Sequence, residues 1–142
     1  MTVKQILDVK GREVVTVPSS MTTIGAARFL SDKKIGAVVV SDNGQDIAGI
    51  LSERDIVRAA ALRGADCLEA PVSSIMTKKV ITISEDRTIN QVMEIMTKGR
   101  FRHLPVAEKG KLVGIVSIGD VVRRRIEDAE REAEEIKAYI AS

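Results

Sequence analysis

Gly114-Ile-Val-Ser-Ile-Gly-Asp120 carries the same pattern as the earlier stretch Gly49-Ile-Leu-Ser-Glu-Arg-Asp55. In each copy a short apolar run reads as a strand that enters a helix, with Ser at the junction and Asp three residues later. Ser-x-x-Asp at such a point is a capping signature: the Ser oxygen accepts from a free backbone N–H of the first turn, and the acid reaches back. The same junction suits a nucleotide. A helix start offers unpaired N–H groups and a positive dipole end to phosphate, and a carboxylate can accept from both hydroxyls of a ribose. One such segment is a weak signal, but two in the same context mark an internal repeat and a pair of sites.

Outward from these segments the chain reads twice through the same series. Thr2 caps a short helix with Val3, Ile6 and Leu7 on one face, stopped at Lys10-Gly11. A strand over 13–17 follows, broken by Pro18-Ser19-Ser20. From Thr23, the apolar positions Ile24, Ala27 and Leu30, with Phe29 beside them, predict a helix ending near Lys33-Lys34. Ile35-Gly-Ala-Val-Val-Val40 reads as a strand buried on both faces. Turn chemistry at Asp42-Asn43-Gly44 leads to a strand over 47–51 and a helix over 55–63, closed by Gly64.

In the second pass Val72, Ile75 and Met76 match Val3, Ile6 and Leu7, and Val80-Ile-Thr-Ile83 matches Val14-Val-Thr-Val17. Thr88, Ile89 and Val92 match Thr23, Ile24 and Ala27. Phe101-Arg-His-Leu-Pro-Val106 stands over Ile35–Val40, and a strand over 112–116 replaces that over 47–51. Each unit therefore reads helix, strand, helix, strand, strand, helix. Neither half is large enough for a comfortable core alone, so the two are expected to pack together about a pseudo-twofold axis, with ligand clefts at the seam.

Composition narrows the function classes. Of 142 residues 44% are hydrophobic but only 2% aromatic, so the core is aliphatic and there are few rings on which bases could stack. A net charge of +2 does not call for a polyanion partner, and nucleic acid is not expected. The single cysteine, Cys67, cannot close an internal disulfide and reads as an apolar filler. No run approaches the length of a membrane span and the first residues lack a signal-peptide pattern, which predicts a cytoplasmic protein without a membrane partner. One His, no activated nucleophile and no Gly-rich phosphate loop give no basis for an enzyme, a catalytic cofactor or a metal.

The paired Gly-Ile-x-Ser-x-x-Asp segments, the Val-Thr-Val and Ile-Thr-Ile strands and the two apolar strands before them resemble a CBS-domain pair, or Bateman module, over the chain up to about Arg125. The arrangement is similar to the short stand-alone bacterial members. The resemblance implies an α+β fold of two tandem β-α-β-β-α units packed sheet to sheet, bounded at residues 1–68 and 69–125, with a helical extension over 126–142. It implies clefts for an adenosine-containing ligand: AMP, ADP, ATP or NAD(H), with S-adenosylmethionine less favoured. Ser52, Asp55, Ser117 and Asp120 fall on the family's ribose and phosphate motif. Thr16 and Thr82 fall on the strand position bordering adenine. Ile35, Gly36 and Ala37, with Phe101, Arg102 and His103, fall on the strand entry that lines base and phosphate. Arg102 and His103, and Arg54 inside the first motif, are the phosphate candidates, because Arg binds phosphate bidentately and His near phosphate favours its charged form. Gly119 stands where the second motif would need a counterpart of Arg54, so the two clefts are not equivalent.

The repeat does not explain the last helix. Val122, Ile126, Ala129, Ala133, Ile136 and Ile140 alternate spacings of four and three, which is an a/d seam. The seam either packs on its own module, for instance on Val3, Ile6 and Leu7, or pairs in a dimer. The resemblance favours a homodimer, and the seam residues leave parallel and antiparallel pairing open. The function implied is a regulatory, ligand-sensing module acting on an unidentified protein target. The alternative is a dimeric interaction or scaffold protein that needs no ligand.

Overall fold

The computed structural model describes residues 1–142 and contains five helices, five strands and two short 3-10 turns. The elements in order are α1 (Val3–Lys10), β1 (Thr16–Val17), α2 (Thr23–Lys33), β2 (Ala37–Val40), β3 (Gly49–Ser52), α3 (Glu53–Arg63), α4 (Ile89–Gly99), β4 (His103–Glu108), β5 (Lys111–Ser117) and α5 (Ile118–Ala141). The 3-10 turns, Ala65–Glu69 and Val72–Ser74, lie between α3 and α4. No helix is long and apolar enough to cross a membrane.

The compact units are not the two sequence halves. One comprises residues 13–81 and 109–113; the other comprises 1–12, 82–108 and 114–142. Backbone pairing around α1 explains the second grouping. Val3 N–H donates to Arg87 O and Lys4 N–H to Glu85 O, both at 2.9 Å, while Ile89 N–H donates to Met1 O at 3.0 Å. The opening helix is thus stitched to the start of α4, inside the second repeat. The first repeat receives the matching stitch from the connector: Thr23 N–H donates to Ala70 O and Val72 N–H to Met21 O, both at 2.8 Å. Each repeat is completed by the segment that leads into the other.

In the unit built on residues 13–81, β1 and β2 are parallel with Thr16 opposite Val39, and β2 and β3 antiparallel with Ala37 opposite Ser52. All four residues of β2 are buried, as the unbroken apolar run predicts. Val17, Ala26, Leu30, Val38, Val40, Leu51 and Val72 make its core. The buried face of α2 is Thr23, Ala26 and Leu30, so the expected face through Ile24 and Ala27 is rotated by one position. A polar residue can lie there because the Thr23 hydroxyl donates to Ala70 O at 2.9 Å. The connector matched to α1 forms only the 3-10 turn Val72–Ser74; Pro71 and two consecutive serines are poor helix material.

In the other unit β4 pairs with β5, whose first residues belong to the unit just described. The strand expected over 80–83 is reduced to a single parallel bridge, Ile83 to Val106. Ile83 N–H donates to Pro105 O and Ala107 N–H to Ile83 O, and there the ladder stops, since Pro105 has no N–H to continue it. The first repeat has Val39 in that place. Helix α5 packs against α4 and α1. Its inward face is Val121 and Asp128, with Arg124 between them, and every residue from Ala129 onward is exposed. The a/d seam is not spent on α1: Val122, Ile126, Ile136 and Ile140 are all exposed.

Candidate functional site: two strand-to-helix junctions with unequal partners

Both Ser-x-x-Asp segments form complete capping boxes. At the first, Ser52 is the N-cap of α3: its hydroxyl accepts from Asp55 N–H at 3.2 Å, and Asp55 Oδ2 accepts from Ser52 N–H at 2.9 Å. At the second, Ser117 caps α5 with the same two bonds to Asp120, again 3.2 and 2.9 Å. The backbone before each junction is glycine for a packing reason. A Cβ on Gly49 would come within 2.8 Å of Thr77 O and 2.6 Å of Met76 Sδ, and one on Gly114 within 2.8 Å of Leu7 Cδ1. Leu7 and Met76 are matched positions of the two lead segments, so both glycines exist to let those segments lie flat on the strand.

The expected strand entries meet these junctions. Glu53 N–H donates to Gly36 O at 3.0 Å, and Ile118 N–H donates to Arg102 O at 2.8 Å. One orphan donor of each helix start is thereby spent on the entry strand of the same repeat, and the entry residue is fixed beside the motif. Lys34 and Arg100 prepare the approach. Both are left-handed, φ 56°, and end α2 and α4 so that Ile35 N–H and Phe101 N–H turn back to Leu30 O and Met96 O. Gly36 and Ala37, preceded by Ile35, therefore lie with Ser52 and Asp55, and Phe101, Arg102 and His103 lie with Ser117 and Asp120. Thr16 sits one strand away from Ala37, opposite Val39. Thr82 is exposed and outside any strand, next to the Ile83 bridge, because the ladder at Pro105 is short. Arg54 is exposed on the first turn of α3.

Two further residues belong to these junctions. Thr77 pairs with Ile50 through two backbone bonds, 3.0 and 2.9 Å, and its hydroxyl donates to Asp55 Oδ1 at 3.2 Å. Lys10 Nζ donates to Ile115 O at 2.9 Å and to Asp120 Oδ2 at 2.6 Å. Ile50 and Ile115 are matched positions, so each motif aspartate is gripped by a donor from the segment leading into the other repeat. In one unit that donor is a neutral hydroxyl; in the other it is an ammonium. Asp55 is buried, with Arg58 3.7 Å away, and Asp120 is 15% exposed. Burial pushes the Asp120 carboxyl up, but the bonds from Lys10 and from Ser117 N–H outweigh it and hold the group below its ordinary 3.8. Sequence pattern alone missed both donors. The match of Val3-Ile6-Leu7 to Val72-Ile75-Met76 was the available signal, since it placed Lys10 and Thr77 just after equivalent segments.

A family model for the CBS domain matches residues 3–62 and again 72–127. The structure is similar to that of a CBS-domain-containing protein from Agrobacterium tumefaciens, 52% identical, with a TM-score of 0.85 over 88% of this chain and 99% of that one. It is also similar to the CBS-domain pair of protein MJ0100, solved in complex with 5'-methylthioadenosine and S-adenosyl-L-methionine: 29% identical, TM-score 0.75, over 87% of this chain and 98% of that one. By sequence it resembles an uncharacterized 17.7 kDa protein of Acidianus ambivalens, 38% identical over 88% of this chain. The chain spans 77% of that relative, 60% of a mitochondrial CBS-domain protein of Arabidopsis thaliana that is 36% identical, and 24% of a longer Arabidopsis CBS-domain protein that is 32% identical.

Proposed function

This chain belongs to the CBS-domain family, and on that premise we propose that it is a regulatory module which binds an adenosine-containing ligand at its two Ser-x-x-Asp junctions. The observation that carries the reading is the coupling of each motif carboxylate to an entry strand and a helix start. Asp55 and Asp120 provide charged acceptors suited to ribose hydroxyls, and the remaining N–H groups of α3 and α5 favour an anion nearby. The adenosine ligands of MJ0100 support the same class. The cations at these junctions, Lys10, Arg102 and Arg54, favour phosphate-bearing ligands such as AMP, ADP, ATP or NAD(H) over the sulfonium of S-adenosylmethionine. His103, the first residue of β4, directly follows Arg102 in that strand entry. Signalling follows if the ligand prefers one conformation or one oligomeric arrangement, by no more than its differential affinity for the two. The working form is a cytoplasmic homodimer acting on a protein target, with no catalytic step of its own.

Thermal unfolding against AMP, ADP, ATP, NAD, NADH and S-adenosylmethionine, with guanosine and inosine nucleotides as controls, tests this. A ligand at 100 times its dissociation constant adds ~2.7 kcal/mol, a shift of roughly 5–10 °C for a chain of this size. One observation favours a second reading, a ligand-independent interaction protein: Ser52 with Asp55 and Ser117 with Asp120 form full capping boxes, a structural role that accounts for both motifs by itself. A flat response to every compound at millimolar concentration selects it.

A further inference from the structure

The family match ends at residue 127, yet α5 continues to Ala141 as an unbroken helix whose residues from Ala129 on are all exposed. The thirteen residues from Ala129 to Ala141 extend ~20 Å, and a lone helix of that length is marginal in water. This one carries an apolar stripe with no cover: Ile126 is 53% exposed, Ile136 60% and Ile140 77%. The base is anchored: Arg124 Nε lies 3.3 Å from Asp128 Oδ1, both side chains are largely buried, and Arg124 reaches Met1. The stripe therefore leaves the unit on a fixed bearing.

Charge decides what covers it. With Ile126, Ala133 and Ile140 at a and Val122, Ala129 and Ile136 at d, the flanking g positions are Arg125, Glu132 and Tyr139, and the e positions Arg123, Glu130 and Lys137. In a parallel, in-register pair each g residue meets the e residue five places on in the other helix. Arg125 then faces Glu130 of the partner subunit, and Glu132 faces Lys137 of the partner subunit, each twice by symmetry. The antiparallel pair that covers the same seam end to end sets Glu130 against the partner's Glu130, Glu132 against the partner's Glu132, and Arg123 against the partner's Lys137. One arrangement has four opposite-charge pairs; the other has only like-charge pairs and a neutral one.

We propose that the tail of α5 is a pairing surface for a second copy of this chain, forming a parallel, in-register two-stranded coiled coil along Val122, Ile126, Ala129, Ala133, Ile136 and Ile140. The pairing does not depend on ligand. Ala129 and Ala133 at its middle let the helices approach closely.

The test is oxidative cross-linking of the full chain carrying Ile140→Cys. In-register parallel helices bring the two introduced thiols together, whereas antiparallel helices hold them at opposite ends. A disulfide-linked dimer on a non-reducing gel is expected at micromolar concentration, with none from the wild type, whose Cys67 is buried. Sedimentation of Arg125→Glu and of Glu130→Arg, both at exposed positions, is expected to show dimerisation weakened roughly tenfold in each. An equimolar mixture of the two regains it as a heterodimer, since every g–e contact is again of opposite sign. Absence of the cross-link, or self-association indifferent to either charge reversal, overturns the proposal.

Discussion

Lys10 Nζ donates to Asp120 Oδ2 at 2.6 Å, joining the last turn of the first helix to the capping aspartate of the last. The equivalent aspartate, Asp55, receives a neutral hydroxyl from Thr77 at 3.2 Å instead. The two junctions share one backbone construction and differ in charge. That difference arises because each motif is completed by the segment leading into the other repeat, and those segments supply their donors from different places, Lys10 three residues after Leu7 and Thr77 directly after Met76.

The pH dependence of stability follows from the Lys10–Asp120 bond. Asp120 is held below its ordinary value of 3.8, so the folded state binds its proton less readily than the unfolded chain. The contribution is complete above 3.8 and is lost as pH falls through the depressed folded value. Lys10→Met should cost about 1 kcal/mol at pH 7, as a partly exposed charged pair with good geometry. The gap between wild type and Lys10→Met, followed by urea denaturation, should be constant from pH 7 to about 5 and close in acid. A gap that widens in acid contradicts the assignment.

Lys10→Thr removes the ammonium from the second junction. If the ammonium helps hold a phosphate there, affinity for ATP should drop about tenfold while that for uncharged adenosine stays within about twofold. Equal losses for both would mean that Lys10 acts only by fixing Asp120.

Gly49 and Gly114 should respond unequally to alanine. At Gly49 the new methyl meets Thr77 O, a backbone atom held by two bonds to Ile50, and cannot be accommodated without breaking them. At Gly114 it meets only the end of the Leu7 side chain, which can rotate although it is fully buried. Losses of about 3 and about 1 kcal/mol respectively are expected from denaturant titration. The reverse order would contradict the close approach of the connector to β3.

Lys34 is left-handed at the end of α2, where a Cβ is strained. Lys34→Gly should raise stability by about 0.5 kcal/mol, while Lys34→Val should lower it by 1 kcal/mol or more, about the scale of backbone strain for a branched residue. Thermal melts of the two variants would separate these signs.

What could be read from the sequence was local. Ser52-x-x-Asp55 and Ser117-x-x-Asp120 announce their own caps, since donor and acceptor lie three residues apart, and both form. The apolar run Ala37–Val40 likewise announces a strand buried on both faces. The parts not legible depend on distant partners. Thr23 is buried only because Ala70 supplies an acceptor, which rotates the face of α2. The strand over 80–83 shrinks to Ile83 because its neighbour carries Pro105. Lys10 and Thr77 meet the motifs only after each lead segment has crossed to the other repeat, an exchange that no periodicity encodes.

The most direct test of the nucleotide-binding claim is calorimetric titration of AMP and ATP into the wild type and into Asp55→Asn/Asp120→Asn. Asp55 and Asp120 stand at N3 of their helices, where the amide oxygen of Asn can still accept from the Ser52 and Ser117 N–H groups, so the double variant should stay folded, with a loss of about 2 kcal/mol that includes the Lys10–Asp120 ion pair. It lacks the carboxylates, and each charge-assisted ribose bond lost costs ~1.5–3 kcal/mol, so affinity should fall at least tenfold. Measurable binding by the wild type and at least a tenfold loss in the folded double variant are expected. Undiminished affinity in that variant would contradict the placement of the ribose at Asp55 and Asp120, and no binding by the wild type would contradict the nucleotide-binding function itself.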